Sequence, residues 1–488
     1  MKLRLQAGTP NDLNRDYVPP GIPGTDMTVN ENGNNSQVYP DGLRDFSAVL
    51  ADGTTDHWYE YVPASYDGSK AVPLVVSNHG GLMSGWAQAV YSSWTLLAER
   101  EGFIVVFPDA PVYKMWMLQG MADKVRQHPE LVLPIPMDPP DWRDNHDLKF
   151  VKALIGTMRE KYNIDAGRIF MHGMSMGHAM TEQFARFCGD MLAGAAGSGA
   201  SPMPAQLYDA DGTLRNEGGP VPMWISHPEL NGMDGPMDEE QRLQKLDRDY
   251  WSAVNGVRGL PRIRITGEDN LAFYRGEKAD LVWLDIKNRD HGQTLDEAFL
   301  IWNYFFSGLR RLPDGTIARE GSRLAPEGDG DALAFAAGCR RAWRHNAPVE
   351  LPTAPVLWDK LKYHGLEGGQ LVRGSYLCVP LRFLAAAFGA SYETNAAGSE
   401  ATLRFPDGRE AQFARGVIGC LADGELVSMY CETLEREGEL LVSVEWFCRA
   451  LLNKNVSFCN GVAYITDHHA ELSFFMAELI KGLLEKDV

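Results

Sequence analysis

From about Phe46 to Arg311 the chain alternates two kinds of segment. Short, almost continuously apolar runs are separated by longer stretches in which apolar residues recur at helical spacing. The runs are HWYEYVP (57–63), VPLVVSNH (72–79), FIVVFPD (103–109), RIFMHG (168–173), MLAGAAGSG (191–199), VPMWISH (221–227) and LVWLDIK (281–287). Strands covered on both faces have this character, because neither side of the pleat meets water. Asp147–Lys161 and Asp296–Leu309 carry the helical pattern. The alternation predicts an α/β fold, a mostly parallel sheet with helices on both faces.

Residues 1–45, rich in Gly, Pro, Asn and Asp, read as an extended N-terminal arm, and 46–311 as the α/β domain. Residues 312–332 are polar and rich in Gly and Asp, which marks a linker. The texture then changes. Within 333–488 the segment LCVPLRFLAAAFGASYE (377–393) is echoed by LVSVEWFCRALLNKNVSF (441–458). Each reads as strand, amphipathic helix, strand, and a further strand follows each, ATLRF (401–405) and VAYIT (462–466). Two copies are too few for a solenoid and predict one smaller α+β module, separable from the first at the linker.

Charge narrows the partners. The 488 residues carry a formal net charge of −19. A polyphosphate partner or an anionic membrane needs a basic surface, so nucleic acid is not expected as a partner. No stretch reaches the ~18 apolar residues of a membrane-spanning helix, so no insertion is expected. The first residues, MKLRLQAGTPNDLNRDYVPPG, lack the apolar core of a signal peptide. The expectation is a cytoplasmic chain, or a surface or secreted one if a leader has been trimmed. Six of the seven cysteines lie beyond residue 330, with no Cys-x-x-Cys pair. They read as small buried thiols, with one or two disulfides as the alternative.

The strongest chemical signal is Gly173-Met174-Ser175-Met176-Gly177, between the strand RIFMHG and the helical pattern HAMTEQFARF. A serine on a tight strand-to-helix turn stands clear of the sheet, and the helix N-terminus faces an oxyanion developing beside it. Ser175 is therefore the candidate nucleophile and the Met176 N–H one oxyanion donor. Upstream, Asn78-His79-Gly80-Gly81 closes a strand and opens a glycine-rich loop, where the second donor belongs: the N–H of Gly81, or of Leu82. His79 reads as structural, its imidazole bonded into nearby backbone. His291, in Asp290-His291-Gly292 after the last strand, has the order and setting of the general base.

The third member of a triad belongs on the loop after VPMWISH. Asp234 is favoured because it is charged and followed by glycine. Glu229 is the alternative acid, close to the strand end. Asn231 holds the expected register but is uncharged, so it offers orientation alone. Asp209 and Asp211, on the preceding loop, are the next place to look. The long insertion Pro111–Pro140 contains Trp116 and Met115, candidates for an apolar substrate wall.

These pieces resemble the polyhydroxybutyrate depolymerase and feruloyl esterase branch of the α/β-hydrolases. YVPASYDGSKAVPLVVSNHGG, GFIVVFPDA, the Trp142-Arg143 and Asp147 pattern, the Ile164-Asp165 and Arg168 pattern before the elbow, and Asp290-His291-Gly292-Gln293 carry the likeness. The family's acid strand ends His-Gly-x-x-Asp, where this chain reads His227-Pro228-Glu229-Leu230-Asn231. The C-terminal part resembles the copper amine oxidase N-terminal domain, a stalk-like module common in bacterial surface proteins, through Val379-Pro380-Leu381-Arg382, FLAAAFGASYE and GVAYIT. No cluster of ligands stands at metal spacing, and His468-His469 is a lone pair.

The resemblance implies a serine esterase working through an acyl-enzyme, without cofactor or metal. Its substrate is expected to be a small or polymer-linked ester with an apolar or aromatic (feruloyl or cinnamoyl) acyl group, or a short polyester. The C-terminal module is then a spacer, a homodimer surface or a binding accessory. The rival expectation is a surface or binding protein whose hydrolase fold is catalytically weak.

Overall fold

The computed structural model describes residues 41–122, 135–232, 236–364 and 369–486. They form two compact units. The first comprises the chain up to Gly259 together with Phe273–Pro326; the second comprises Leu260–Ala272 and the chain from Glu327 onward.

In the first unit β1 (Leu43–Ala51) and β2 (Thr54–Tyr61) make an antiparallel hairpin. Then come β3 (Val72–Asn78), β4 (Ile104–Pro108), β5 (Ile164–Met174), β6 (Gly194–Ser198) and β7 (Met223–Leu230). Next, β8 (Arg262–Thr266) and most of β9 (Asp269–Tyr274) lie in the excursion that clusters with the second unit, and β10 (Leu281–Asp290) returns to the first. The strand order is β1-β2-β4-β3-β5-β6-β7-β10, and every neighbouring pair from β4 to β10 is parallel. Parallel neighbours require crossovers, and helices supply them. They include α1 (Gly85–Tyr91), α2 (Trp94–Glu101), α3 (His146–Lys161) and α4 (Met176–Cys188). A mostly parallel sheet of this order, with a sharp turn from β5 into α4, is the α/β-hydrolase fold.

Burial explains why the runs were readable. Every residue of β4, IVVFP, is buried, as are Leu74–Asn78 of β3. α3 starts where Asn145 caps it, accepting from the Leu148 N–H, and buries Leu148, Val151, Leu154, Ile155 and Met158 along one stripe. Phe103 stacks on Trp302, and Phe170 on Phe306, each with centroids 4.5 Å apart. β1 starts at Leu43, ahead of the expected Phe46. As an edge strand it is mostly exposed, and its sequence carries little strand signal. The expected linker supplies one strand of a small hairpin, Ile317–Arg319, which pairs with Leu309–Arg311 just before it.

The second unit is richer in strands than the α+β expectation. It holds a five-stranded sheet that includes Leu333–Ala336 and Val462–Thr466, a four-stranded sheet, and a second five-stranded sheet running from Ser391 to Ser428. Both echoed segments take the expected order. One is strand Gly369–Pro380, helix Leu381–Ala387, strands Ser391–Thr394 and Glu400–Arg404; the other is strand Glu439–Ser443, a helical turn, strands Asn455–Cys459 and Val462–Thr466. The thread Leu260–Ala272 is bonded into this unit. Asp329 N–H donates to Ile263 O (2.7 Å), Gly267 N–H to His469 O (3.1 Å), and Ser473 N–H to Asn270 Oδ1 (3.0 Å). Among the described residues no helix is long and apolar enough to cross a membrane.

Candidate active site

Ser175 sits between β5 and α4 with φ 56° and ψ −121°, a conformation that side-chain-bearing residues adopt only under constraint. Two glycines make the turn possible. A Cβ on Gly173 would meet the Gly177 carbonyl oxygen at 1.9 Å, and one on Gly177 would meet the Asn78 carbonyl oxygen at 2.2 Å. The Ser175 N–H is anchored to Ser198 O on β6 (2.7 Å).

His291, on the loop after β10, places Nε2 3.0 Å from Ser175 Oγ. Its Nδ1 lies 2.6 Å from Asn231 Oδ1. A carbonyl-type oxygen only accepts, so Nδ1 carries the proton and Nε2 is left to accept from the serine hydroxyl. That is the relay through which a serine proton can pass to an imidazole. The Nδ1 contact belongs to Asn231, the uncharged residue at the register position. Glu229 is buried, and its Oε2 accepts from the Asn288 N–H (2.9 Å), supporting the approach to the His291 loop. Asp234 lies outside the described residues. Asp209 bonds Arg215 and Asp211 bonds the Thr213 N–H, both on their own exposed loop.

The glycine-rich loop expected to carry an oxyanion donor lies between β3 and α1, against the residues that follow β4 and the start of the insertion. Among the described residues, no backbone carbonyl accepts from the Met176 or Gly81 N–H. The Leu82 N–H is committed to Lys114 O (2.9 Å), which removes it as an alternative donor. The loop is pinned through His79: Nδ1–H donates to Gly80 O (2.6 Å), and Nε2 accepts from the Ala110 N–H (2.9 Å). Burial pushes the His79 pKa down to about 4, so the ring stays neutral and can keep accepting. Asp109 fastens the far side, accepting from the Gly85 N–H (2.5 Å) and from Lys114 Nζ (2.6 Å). Trp116 is fully buried, and its indole donates to His79 O (2.8 Å), so it props the loop from behind. Met115 is buried against the same loop. A Cβ on Gly81 would lie 3.1 Å from Met115 Sδ and 2.8 Å from Met176 Sδ; one on Gly80 would lie 3.1 Å from Met83 Sδ and 3.2 Å from Met174 Sδ. Four methionine sulfurs thus crowd the two glycines.

The family-pattern residues serve as supports. Trp142 and Arg143 both bond Glu217, Asp147 accepts from the Met117 N–H of the insertion, Asp165 pairs with Arg310, and Arg168 donates to Ser307 O. Among the described residues no group of three or more His, Cys, Asp or Glu is arranged to hold a metal, and His468 Nε2 is bonded to Ile265 O.

Sequence reasoning missed the cradle of the His291 loop. Ser198 Oγ–H donates to Gly292 O (3.1 Å), Gln293 Nε2 to Tyr91 O (3.2 Å) and Arg289 Nη2 to Gln293 O (2.7 Å). Glu297, in the first turn of the following helix Glu297–Tyr304, is buried. Burial pushes its carboxyl up to about 7. The folded chain then holds a proton that the unfolded chain gives up near 4.5, so stability falls as pH rises from about 4.5 to 7. Glu297→Gln removes this loss. It is expected to match the wild type in thermal midpoint at pH 4 and to exceed it by several degrees at pH 8. The shift corresponds to about 3 kcal/mol at most. Equal midpoints at pH 8 would show that Glu297 does not hold its proton.

No protein-family model matches the chain. Over 150 residues it is 27% identical to the bifunctional acetylxylan esterase/xylanase XynS20E of Neocallimastix patriciarum, covering 29% of this chain and 19% of that protein. The chain thus spans about a fifth of the length of the curated relative it matches. Among solved structures it is similar to an acetyl xylan esterase from Aspergillus awamori (16% identity, 53% of this chain and 97% of that one, TM-score 0.38). It is also similar to a ferulic acid esterase from Anaeromyces mucronatus in complex with ferulic acid (16% identity, 60% and 93%, TM-score 0.32).

Proposed function

We propose that this chain is a serine carboxylic-ester hydrolase working through an acyl-enzyme. The observation that carries the reading is the continuous relay from Ser175 Oγ to His291 Nε2 (3.0 Å) and from His291 Nδ1 to Asn231 Oδ1 (2.6 Å). Ser175 Oγ attacks the ester carbonyl while His291 Nε2 takes its proton. The carbonyl oxygen becomes an oxyanion, and the N–H groups of Met176 and Gly81 receive it. Collapse expels the alcohol with the proton from His291. Water then attacks the acyl-enzyme by the same route and frees Ser175. Asn231 fixes the imidazole tautomer throughout.

The methionine sulfurs around Gly80 and Gly81 favour an apolar or aromatic acyl group, because thioethers are polarizable, adaptable and poor hydrogen-bonding partners. The similar proteins are named as acetyl xylan and ferulic acid esterases. The test is a panel of p-nitrophenyl esters. Butyrate and ferulate are expected to exceed acetate by about tenfold in kcat/KM, since one to a few methylenes are worth that much in an apolar pocket. Preference for acetate would overturn the acyl assignment and leave the esterase reading standing.

A second reading rests on Asn231 itself. An amide stabilises the imidazolium less than a carboxylate does, which favours a catalytically weak surface or binding protein. It requires kcat to stay near background for every ester of the panel. For the second unit we propose an accessory role, as spacer, dimer surface or binding module.

A further inference from the structure

Two of the seven cysteines meet. Cys378 lies near the end of the strand Gly369–Pro380, and Cys431 lies in the turn that enters the strand Leu434–Arg436. Their Sγ atoms are 3.5 Å apart. Both are buried, packed with Leu434 and Leu441 in a small apolar cluster flanked by Val356, Trp358 and Tyr376. The contact is already at van der Waals range, so a bond of about 2.05 Å needs an approach of roughly 1.5 Å.

The position also matters. The four-stranded sheet runs Val356–His364, Gly369–Pro380, Glu439–Ser443, Leu434–Arg436, so Cys378 belongs to an inner strand and Cys431 leads into a three-residue edge strand. The two are 53 positions apart. Between them lies every strand of the second five-stranded sheet, from Ser391 to Ser428. A covalent link here closes a loop around a whole sheet and anchors a short edge.

We propose that Cys378 and Cys431 form a reversible disulfide, exchanging with a small-molecule disulfide such as oxidised glutathione. The Cys431 thiolate attacks one sulfur of oxidised glutathione, forming a mixed disulfide and releasing one glutathione. The Cys378 thiolate then attacks the Cys431 sulfur and releases the second. Two protein thiols are oxidised, one disulfide is reduced to two thiols, and the two protein protons end on the departing glutathione sulfurs. Cys431 is the natural first attacker. Its hydrogen bond with Cys378 holds its thiol below the ordinary range, while Cys378 is held above it by the same contact and by burial. Because both sulfurs are buried, exchange waits on local opening of the turn and its edge strand.

The experiment uses the full chain, equilibrated in oxidised glutathione or in dithiothreitol, then denatured and alkylated with iodoacetamide. The oxidised sample is expected to carry two fewer carbamidomethyl groups and to yield one linked peptide pair containing Cys378 and Cys431. Its thermal midpoint should rise by at least about 5 °C and fall back on reduction, since the closed loop is long. Cys378→Ala and Cys431→Ala should each abolish the mass change and the rise. Full labelling after oxidation, linkage of any other pair, or linkage without a higher midpoint each overturns the proposal. Where either variant folds poorly, the wild-type peptide map still decides. The outcome is independent of whether the first unit hydrolyses esters.

Discussion

Ser175→Ala is expected to lower turnover of an activated ester by on the order of 10³-fold or more, with the fold intact. On the proposed mechanism, removing Oγ abolishes the acyl-enzyme, and what remains is water attacking a carbonyl polarised by the proposed donors, the N–H groups of Met176 and Gly81. KM should change little, because the oxyanion donors and the methionine-lined loop are untouched. The strain at this position (φ 56°) belongs to the backbone and persists in the variant. The check is kcat for wild type and variant on one p-nitrophenyl ester, with a fluorophosphonate labelling control. Wild type should take one phosphonyl group on the peptide containing Ser175 and the variant none. A variant of nearly full activity, still labelled, would move the nucleophile elsewhere.

Asn231→Asp is expected to raise kcat by about 10- to 100-fold. The third member of a hydrolytic triad both fixes the imidazole tautomer and stabilises the imidazolium that forms in the transition state. On the proposed mechanism Asn231 performs the first task through Oδ1 and contributes only a dipole to the second. A carboxylate of the same size keeps the 2.6 Å contact and adds a charge at a buried position, where water screens it weakly. Asn231→Ala removes both contributions and should lower kcat by about 100-fold. Asp234→Asn, by contrast, should stay within about threefold of wild type. Should Asp234→Asn collapse while both Asn231 variants stay near wild type, the acid is Asp234 and the amide is only a spacer.

The difficulty over this residue shows where sequence reasoning ends. Position and charge point to different residues on one short loop, Asn231 by register and Asp234 or Glu229 by charge. Among the described residues the Nδ1 contact goes to the register position, with Asn231 Oδ1 2.6 Å from His291 Nδ1. The central strands were readable because burial on both faces writes itself into their composition. β1 was not, since an exposed edge tolerates polar residues throughout. The serine elbow was readable because glycine is the only residue that fits against the Gly177 and Asn78 carbonyls. The cradle of the His291 loop was not, because its bonds join positions far apart in the chain. Ser198 Oγ and Gly292 O are 94 residues apart, and a serine ending a small-residue strand looks like any other.

The thread Leu260–Ala272 bears on how such a protein is inherited. A module joined only at a chain end can be gained, lost or exchanged in one recombination event. Here the second unit is stitched to a segment encoded inside the first, through Ile263, Gly267 and Asn270. A gene cut near Gly330 would leave that segment behind, with the Ile263 N–H without Asn346 and Asp329 without Tyr464. Shuffling the module into another hydrolase would require two coordinated exchanges. The two halves of this chain are therefore expected to have travelled together, and anyone wishing to separate them must redesign the thread as well as the cut.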